Sequence, residues 1–236
     1  MTDLGRDEGA LSERLVDELQ RRILDGTIPV GSWLRHSTIA QEFGMSRTPV
    51  REALHILNAR GIVTIVKNRG ARVNGHSSRE LRELGEVRAE LEGFAAELAV
   101  DRIDDEQLAR MQKAVEDFAA AVEEYALEPA QSKSAEAAAR WSAANEAFHG
   151  AIVAGSGNWQ LALSVEDIGR RLPRNSSFPL YSGNLRLLRQ NLAEHQAVAD
   201  AIIARDARKA RQAMVKHIRS ASAIRVRYLE AQEPTD

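Results

Sequence analysis

A chain of 236 residues, 44% hydrophobic and 28% charged, has an ordinary soluble composition and enough length for two domains. It has no cysteine, which excludes disulfides, thiol catalysis and thiolate metal sites. Its net charge of −2 argues against indiscriminate coating of nucleic acid, and no apolar run approaches the ~18 residues of a membrane span.

Met1 to Glu8 holds no apolar secretion-signal core, so a cytoplasmic location with no membrane partner is expected. Leu11, Leu15, Val16, Leu19 and Ile23 recur at helical spacing, and Asp25-Gly26 with Pro29-Val30-Gly31 ends that helix. Ser37 to Phe43 reads as a short helix closed by Gly44, and another helix opens at Ser46. In it Val50, Ala53, Leu54 and Leu57 fall at i, i+3, i+4 and i+7, a single stripe that faces a core. Arg47, Thr48, Arg51, His55 and Asn58 lie off that stripe and point to solvent. Pro49 is tolerated because first-turn N–H groups lack an intrahelical partner, and Ser46 or Thr48 can cap the end. Such a helix carries what major-groove reading needs: Arg to reach guanine O6 and N7, and an amino end with hydroxyls to hold phosphates.

Two short helices joined by a tight Gly-containing turn read as a helix-turn-helix. Past Gly61 the residues turn β-branched, Ile62 to Val66, then Lys67-Asn68-Arg69-Gly70, then Ala71-Arg72-Val73. This predicts a two-stranded hairpin with a basic tip, the wing of a winged helix. Between Gly31 and Arg72 there are seven basic residues against two acidic, whereas from His76 onward 21 basic face 25 acidic. A locally basic segment on a mildly acidic remainder fits specific DNA binding plus a second domain with another task.

The small polar run Asn74 to Ser78 marks a boundary, with a winged helix-turn-helix over 8–75 and a second domain over 78–230. The second domain reads as helix throughout, near 79–101, 104–126, 134–155, 158–172, 185–205 and 207–230. With only five Phe and three Tyr in the whole chain, its core must be mainly Leu, Val, Ile and Ala. The expected fold class is therefore mainly α: a winged helix followed by an all-helical bundle.

Leu24 to Leu34, Ile39 to Met45, Ser46 to Leu54 and Gly70 closely resemble, in order and spacing, the winged helix of the GntR family of bacterial transcription regulators. By that resemblance Arg35, Arg47, Thr48, Arg51 and the wing-tip Gly70 take DNA-contacting positions. Ser46 joins them as the amino-end hydroxyl and Arg69 as the basic side chain of the wing tip. His36 stands where many members have an acid, and Ala59-Arg60-Gly61-Ile62 departs from the usual Ala-Glu-Gly-Leu. Neither departure touches the reading helix.

Arg88 to Ala99, Asn145 to His149, His195 with Ala201-Ile202, and Met214 to His217 resemble the FCD effector domain of the FadR-like subgroup. The resemblance implies an all-helical bundle that holds a divalent metal and a small carboxylate effector. Asn145 and His149 share one helix face, and His195 and His217 flank the break at Asp206, so antiparallel helices can present them together. Three imidazoles suit Zn, Ni or another first-row metal over Mg or Ca. Asn145 stands where the family has Asp. A neutral amide is a weaker ligand, so either metal affinity is lower or the pocket holds its effector without metal. Arg88 takes the effector-anchoring position, since guanidinium pairs bidentately with carboxylate; the alternative partner is an acid such as Glu92.

The function implied is a DNA-binding regulator, a repressor acting as a homodimer on a palindromic operator and controlled by a small organic acid. The competing reading is a metal-dependent hydrolase. No Glu or Asp general base is recognisably placed near the three histidines, and no phosphate loop or Gly-x-Ser-x-Gly elbow occurs. An enzyme is not expected.

Overall fold

The computed structural model describes residues 4–24, 27–75, 77–127, 134–172, 181 and 184–230. They form two compact units, the first running to Ser77 and the second beginning at Ser78. The expected breaks at Asp25-Gly26, Glu128 to Lys133 and Pro173 to Gly183 lie outside the described residues, Tyr181 apart.

The first unit runs α1 (Leu4–Leu24), β1 (Trp33–Leu34), α2 (His36–Glu42), α3 (Arg47–Ala59), β2 (Val63–Val66) and β3 (Gly70–Val73). Helix α1 starts well before the expected Leu11, because Gly5 to Ala10 hold no apolar period from which to read it. On α3, Val50, Ala53, Leu54 and Leu57 are fully buried against Leu15, Val16 and Leu19 of α1 and against Ile62, Val63, Ala71 and Val73. At about 1.5–3 kcal/mol for each large apolar side chain, that stripe fixes the face α3 turns outward.

The wing forms as expected between β2 and β3, with Val63 opposite Val73 and Val66 opposite Gly70. It is not merely two-stranded. Strand β1 pairs antiparallel with the free side of β3, Trp33 opposite Arg72 and Leu34 opposite Ala71, giving the order β1-β3-β2. Two residues have no period, so sequence pattern could not mark this strand. The Asn58 side chain, expected simply to face solvent, accepts a 3.0 Å bond from the Ile65 N–H and ties α3 to β2. Ser46 takes the N-cap position of α3, but its hydroxyl makes no capping bond.

The second unit is helical among its described residues: α4 (Ser78–Arg102), α5 (Asp105–Leu127), α6 (Ser134–Gly155), α7 (Trp159–Arg171), α8 (Leu185–Ile203) and α9 (Ala207–Glu230). Three of the breaks read from the sequence act as caps. Asp104 and Gln107 exchange side-chain and backbone bonds at the start of α5, and Asn158, Asn184 and Asp206 accept from first-turn N–H groups of α7, α8 and α9. Helices α4 and α9 approach closely and antiparallel. A Cβ on Gly93 would fall 2.5 Å from Val215 Cγ2, so only glycine admits this contact. The main core is Ala, Val, Ile and Met around Phe148, close to the expected aliphatic composition. A second cluster holds Phe118, Trp141 and Tyr181, which concentrates the few aromatics in one place. No described helix is long and apolar enough to cross a membrane.

The tightest constraint in the wing is Gly70. Its φ is +104°, and an added Cβ would sit 2.4 Å from the Leu34 carbonyl oxygen across the β1–β3 pair. Gly70→Ala should cost about 1–3 kcal/mol from strain alone and loosen the wing. Denaturant unfolding of the full chain reads it; an unchanged midpoint would show that β1 yields at no cost.

Candidate nucleic-acid face and buried imidazole cluster

Between α3 and the wing lies a concave face of about 970 Å³, lined among others by Arg35, Arg47, Arg51, Lys67, Arg69 and Gly70. No acidic residue lines it among the described residues. Glu42, one of the two acids in this segment, is taken up by Arg22 at 2.5 Å. Arg69 stacks its guanidinium 5.8 Å from the Trp33 ring, which steadies the wing tip. Five of the seven residues expected at DNA thus come together here; Ser46 and Thr48 are exposed at the start of α3 but do not line the concavity. Asn68, at φ 63°, makes the turn that presents Arg69.

The other candidate residues meet inside the second unit. His149 on α6, His195 on α8 and His217 on α9 are 8%, 0% and 2% exposed. Their ligand nitrogens all lie within 4.8 Å of one another. Ring centroids of His195 and His217 are 4.2 Å apart, as the antiparallel α8–α9 pairing predicts. Phe118 and Phe148 pack against His195 at 4.4 and 4.7 Å. Asn145 stands half-buried one turn before His149, on α6.

Each ring is held at its Nδ1. That of His195 donates to the Asn191 backbone carbonyl at 2.8 Å, that of His149 to Glu92 at 2.6 Å, and that of His217 to Glu194 at 3.2 Å. A carbonyl or carboxylate oxygen only accepts, so each Nδ1 carries the hydrogen and a neutral ring keeps its lone pair on Nε2. The Nε2 of His195 is buried and has no hydrogen-bond partner. Burial, aided by the neighbouring His217 and His149, pushes His195 well below the ordinary imidazole value. Burial likewise lowers His217, against the opposing pull of Glu194. Imidazoles with Nδ1 committed, converging and oriented from behind by two carboxylates and a backbone carbonyl, are the donor set a first-row metal takes. The residues fit the group.

Two carboxylates lie beside the histidines, contrary to the sequence reading. Glu92 and Glu194 are 57 and 23 residues from their partners, and nothing local signals such pairings. Both bind the outer nitrogen, so they orient rings. Arg88 donates its Nε to Glu92 at 2.5 Å, the acid named as its alternative partner. Burial would raise the Glu92 carboxyl, but Arg88 and His149 outweigh it and hold it well below the usual carboxylate range. Sequence reasoning missed Asn191, Tyr181 and Arg225 as well. Asn191 Nδ2 donates to the Tyr181 hydroxyl at 3.1 Å, and the Nε of Arg225 is buried without a partner.

Comparison with known proteins places these two units. The family described as "Bacterial regulatory proteins, gntR family" matches residues 11–73, and the FCD domain matches residues 83–220. The HTH-type transcriptional repressor GlaR of Escherichia coli (strain K12) is 29% identical over 202 residues, 85% of this chain and 89% of that protein. The uncharacterized regulator YdhC of Bacillus subtilis (strain 168) is also 29% identical, over 45% of this chain; the match spans about half of that protein, 47%. The solved structure of E. coli McbR/YncC shares the fold with a TM-score of 0.71 at 24% identity, covering 94% of this chain and 99% of that one.

Glu92→Ala leaves the Arg88 guanidinium and the His149 ring without their buried carboxylate. It should lower stability by about 3–5 kcal/mol at neutral pH, read by urea unfolding. The sign with pH follows from the depressed carboxyl: its stabilisation is complete above the ordinary value of 4.5 and is lost as pH falls through the lower folded value. The variant should therefore lose less stability on acidification than the wild type. An equal loss would mean other groups carry the acid response.

Proposed function

We propose that this chain, which belongs to the GntR family of bacterial regulatory proteins and carries an FCD domain, is a repressor switched by a small organic acid. Its class is transcription regulation through DNA binding, not catalysis, as the sequence implies; family and named relatives are regulators. The observation that carries the effector reading is the set of three buried imidazoles, each committed at Nδ1 and converging within 4.8 Å.

On DNA, α3 lies in the major groove, where Arg47 and Arg51 reach base edges while Ser46, Thr48 and Arg35 hold phosphates. Arg69 and the Gly70 backbone bring the wing against the duplex. One winged helix covers little DNA, so two copies pair on a palindromic operator, in the cytoplasm where the chromosome is accessible. The concave face without acids supports this placement.

In the second unit His149, His195 and His217 hold one divalent first-row ion, Zn or Ni, and Asn145 or water completes its shell. Bound there, the ion supplies a fixed positive charge that an organic carboxylate can meet. Arg88 adds a guanidinium whose Nε is committed to Glu92, leaving its terminal N–H groups for an anion. The surrounding Phe118 and Phe148 exclude water and strengthen every charge interaction. Ligand binding shifts the operator-binding equilibrium by a coupling of about 1–3 kcal/mol.

Two measurements test the reading. Arg47→Ala and Arg51→Ala should each cost about 1–3 kcal/mol on an operator selected from random duplexes, read by anisotropy at fixed salt. Unchanged affinity and base preference in either would overturn the docking of α3. Protein purified without chelators should carry about one equivalent of metal by elemental analysis, lost stepwise in His149→Ala, His195→Ala and His217→Ala. Less than about a tenth of an equivalent, with no uptake of added Zn or Ni, would refute the metal.

A further inference from the structure

We propose that the effector is a dianion, a small organic acid with an acid group at each end, and that Arg225 reads the second end. The inference rests on the carboxylate-effector reading above and narrows it to one ligand class.

Arg225 lies on α9, eight residues beyond His217. At 1.5 Å of rise per residue the two positions are about 12 Å apart along the helix and on neighbouring faces. Its Nε is buried and has no hydrogen-bond partner, and no carboxylate pairs with it among the described residues. Burial and the like charge of Arg88 bring it down to about 10, with Tyr181 as the opposing influence. The fully buried charge of Glu92, by contrast, has opposite partners in Arg88 and His149. Arg225 is half-buried, but an Nε shut off from water and unpaired is costly unless something anionic arrives.

The groups beside Arg225 are also incompletely used. Tyr181 is pushed up to about 12 by burial, so it is a neutral phenol; it accepts from Asn191 Nδ2 and keeps its own hydrogen to donate. The Asn191 Oδ1 is buried without a partner, suited to a ligand hydroxyl or a protonated oxygen. Asn191 in turn holds His195 through its backbone carbonyl, and Arg88 is felt by both His195 and Arg225. Ile224, next to Arg225, packs in one cluster with Tyr181 and Phe118, Tyr181 bonds Asn191, and Phe118 lies against His195, so the partnerless His195 Nε2, Asn191 Oδ1 and Arg225 Nε fall in one region of the interior. Unsatisfied polar atoms are rare in native interiors, and three together mark a place completed by a ligand. One carboxylate at the histidines and Arg88 leaves Arg225 unanswered. After side-chain reach is taken from the ~12 Å separation, a chain of about four to six carbons with acids at both ends answers it.

The test is calorimetric titration of the full chain, with and without added Zn, using succinate, glutarate and adipate against the single acids butyrate, valerate and hexanoate. Wild type should bind the best diacid about 10- to 100-fold more tightly than the single acid of equal length. Arg225→Gln should erase that difference by weakening diacids alone, and Arg225→Lys should restore part of it. Circular dichroism and the ligand-free melting midpoint establish that each variant folds, and the wild-type ladder decides the matter if one does not. Single acids binding as tightly as diacids in wild type, or Arg225→Gln keeping the full preference, would overturn the proposal while leaving the carboxylate-effector reading intact. If no acid of either kind binds in any condition, that reading falls and this inference with it.

Discussion

The interior of the second unit depends on one ionised carboxylate that water hardly reaches. Glu92 is 1% exposed, and burial works against its charge. Removing a carboxylate from water costs several kcal/mol, so it remains ionised only because Arg88 and His149 bind its two oxygens at 2.5 and 2.6 Å. The chain Arg88–Glu92–His149 therefore locks α4 to α6 and sets the His149 tautomer in one stroke. Asn191 and Glu194 do the same for His195 and His217 from α8. Three rings from three helices are aimed inward by partners standing behind them.

The first unit obeys a different constraint. Its reading helix is positioned by apolar burial on one side, and its wing by the close pass of Gly70 over Leu34. Because β1 pairs with β3, Trp33 comes to lie under Arg69, and the wing tip gains an aromatic support that a two-stranded hairpin would lack. Charge accumulates on the concave side because no described acid lines it, and Glu42, one of the segment's two acids, pairs with Arg22. A face of unneutralised guanidiniums is unfavourable to itself and favourable to a polyanion.

Features set by neighbours in sequence were legible, and features set across the fold were not. The stripe on α3 and the caps at Asp104, Asn158 and Asp206 need only residues within a turn, so spacing and residue type suffice. The Arg88–Glu92 pair is i to i+4 and was nameable for the same reason. Resemblance and helix spacing point to the histidine set, and the fold brings the ligand atoms of its three histidines within 4.8 Å of one another. By contrast β1 is too short to show a period, and Glu92, Glu194 and Arg225 are ordinary helical charges until packing decides which are buried. Their roles are written in long-range pairings that one sequence does not display.

Asn145 joins these observations into one electrostatic argument. An Asp at that position would bring a negative charge to the histidine cluster; the amide brings none. Around the three imidazoles the carboxylates of Glu92 and Glu194 equal in number the guanidiniums of Arg88 and Arg225, although among the described residues Arg225 pairs with neither. A divalent ion held by His149, His195 and His217 would therefore bring two positive charges that no described side chain offsets. In a medium of low polarity such a surplus is expensive, and the ligand that removes it at least cost carries two negative charges. Asn145, a weaker ligand than a carboxylate, would thus strengthen the demand for a dianion. A metal and its effector would then bind as mutually stabilising partners, each paying for the other's burial.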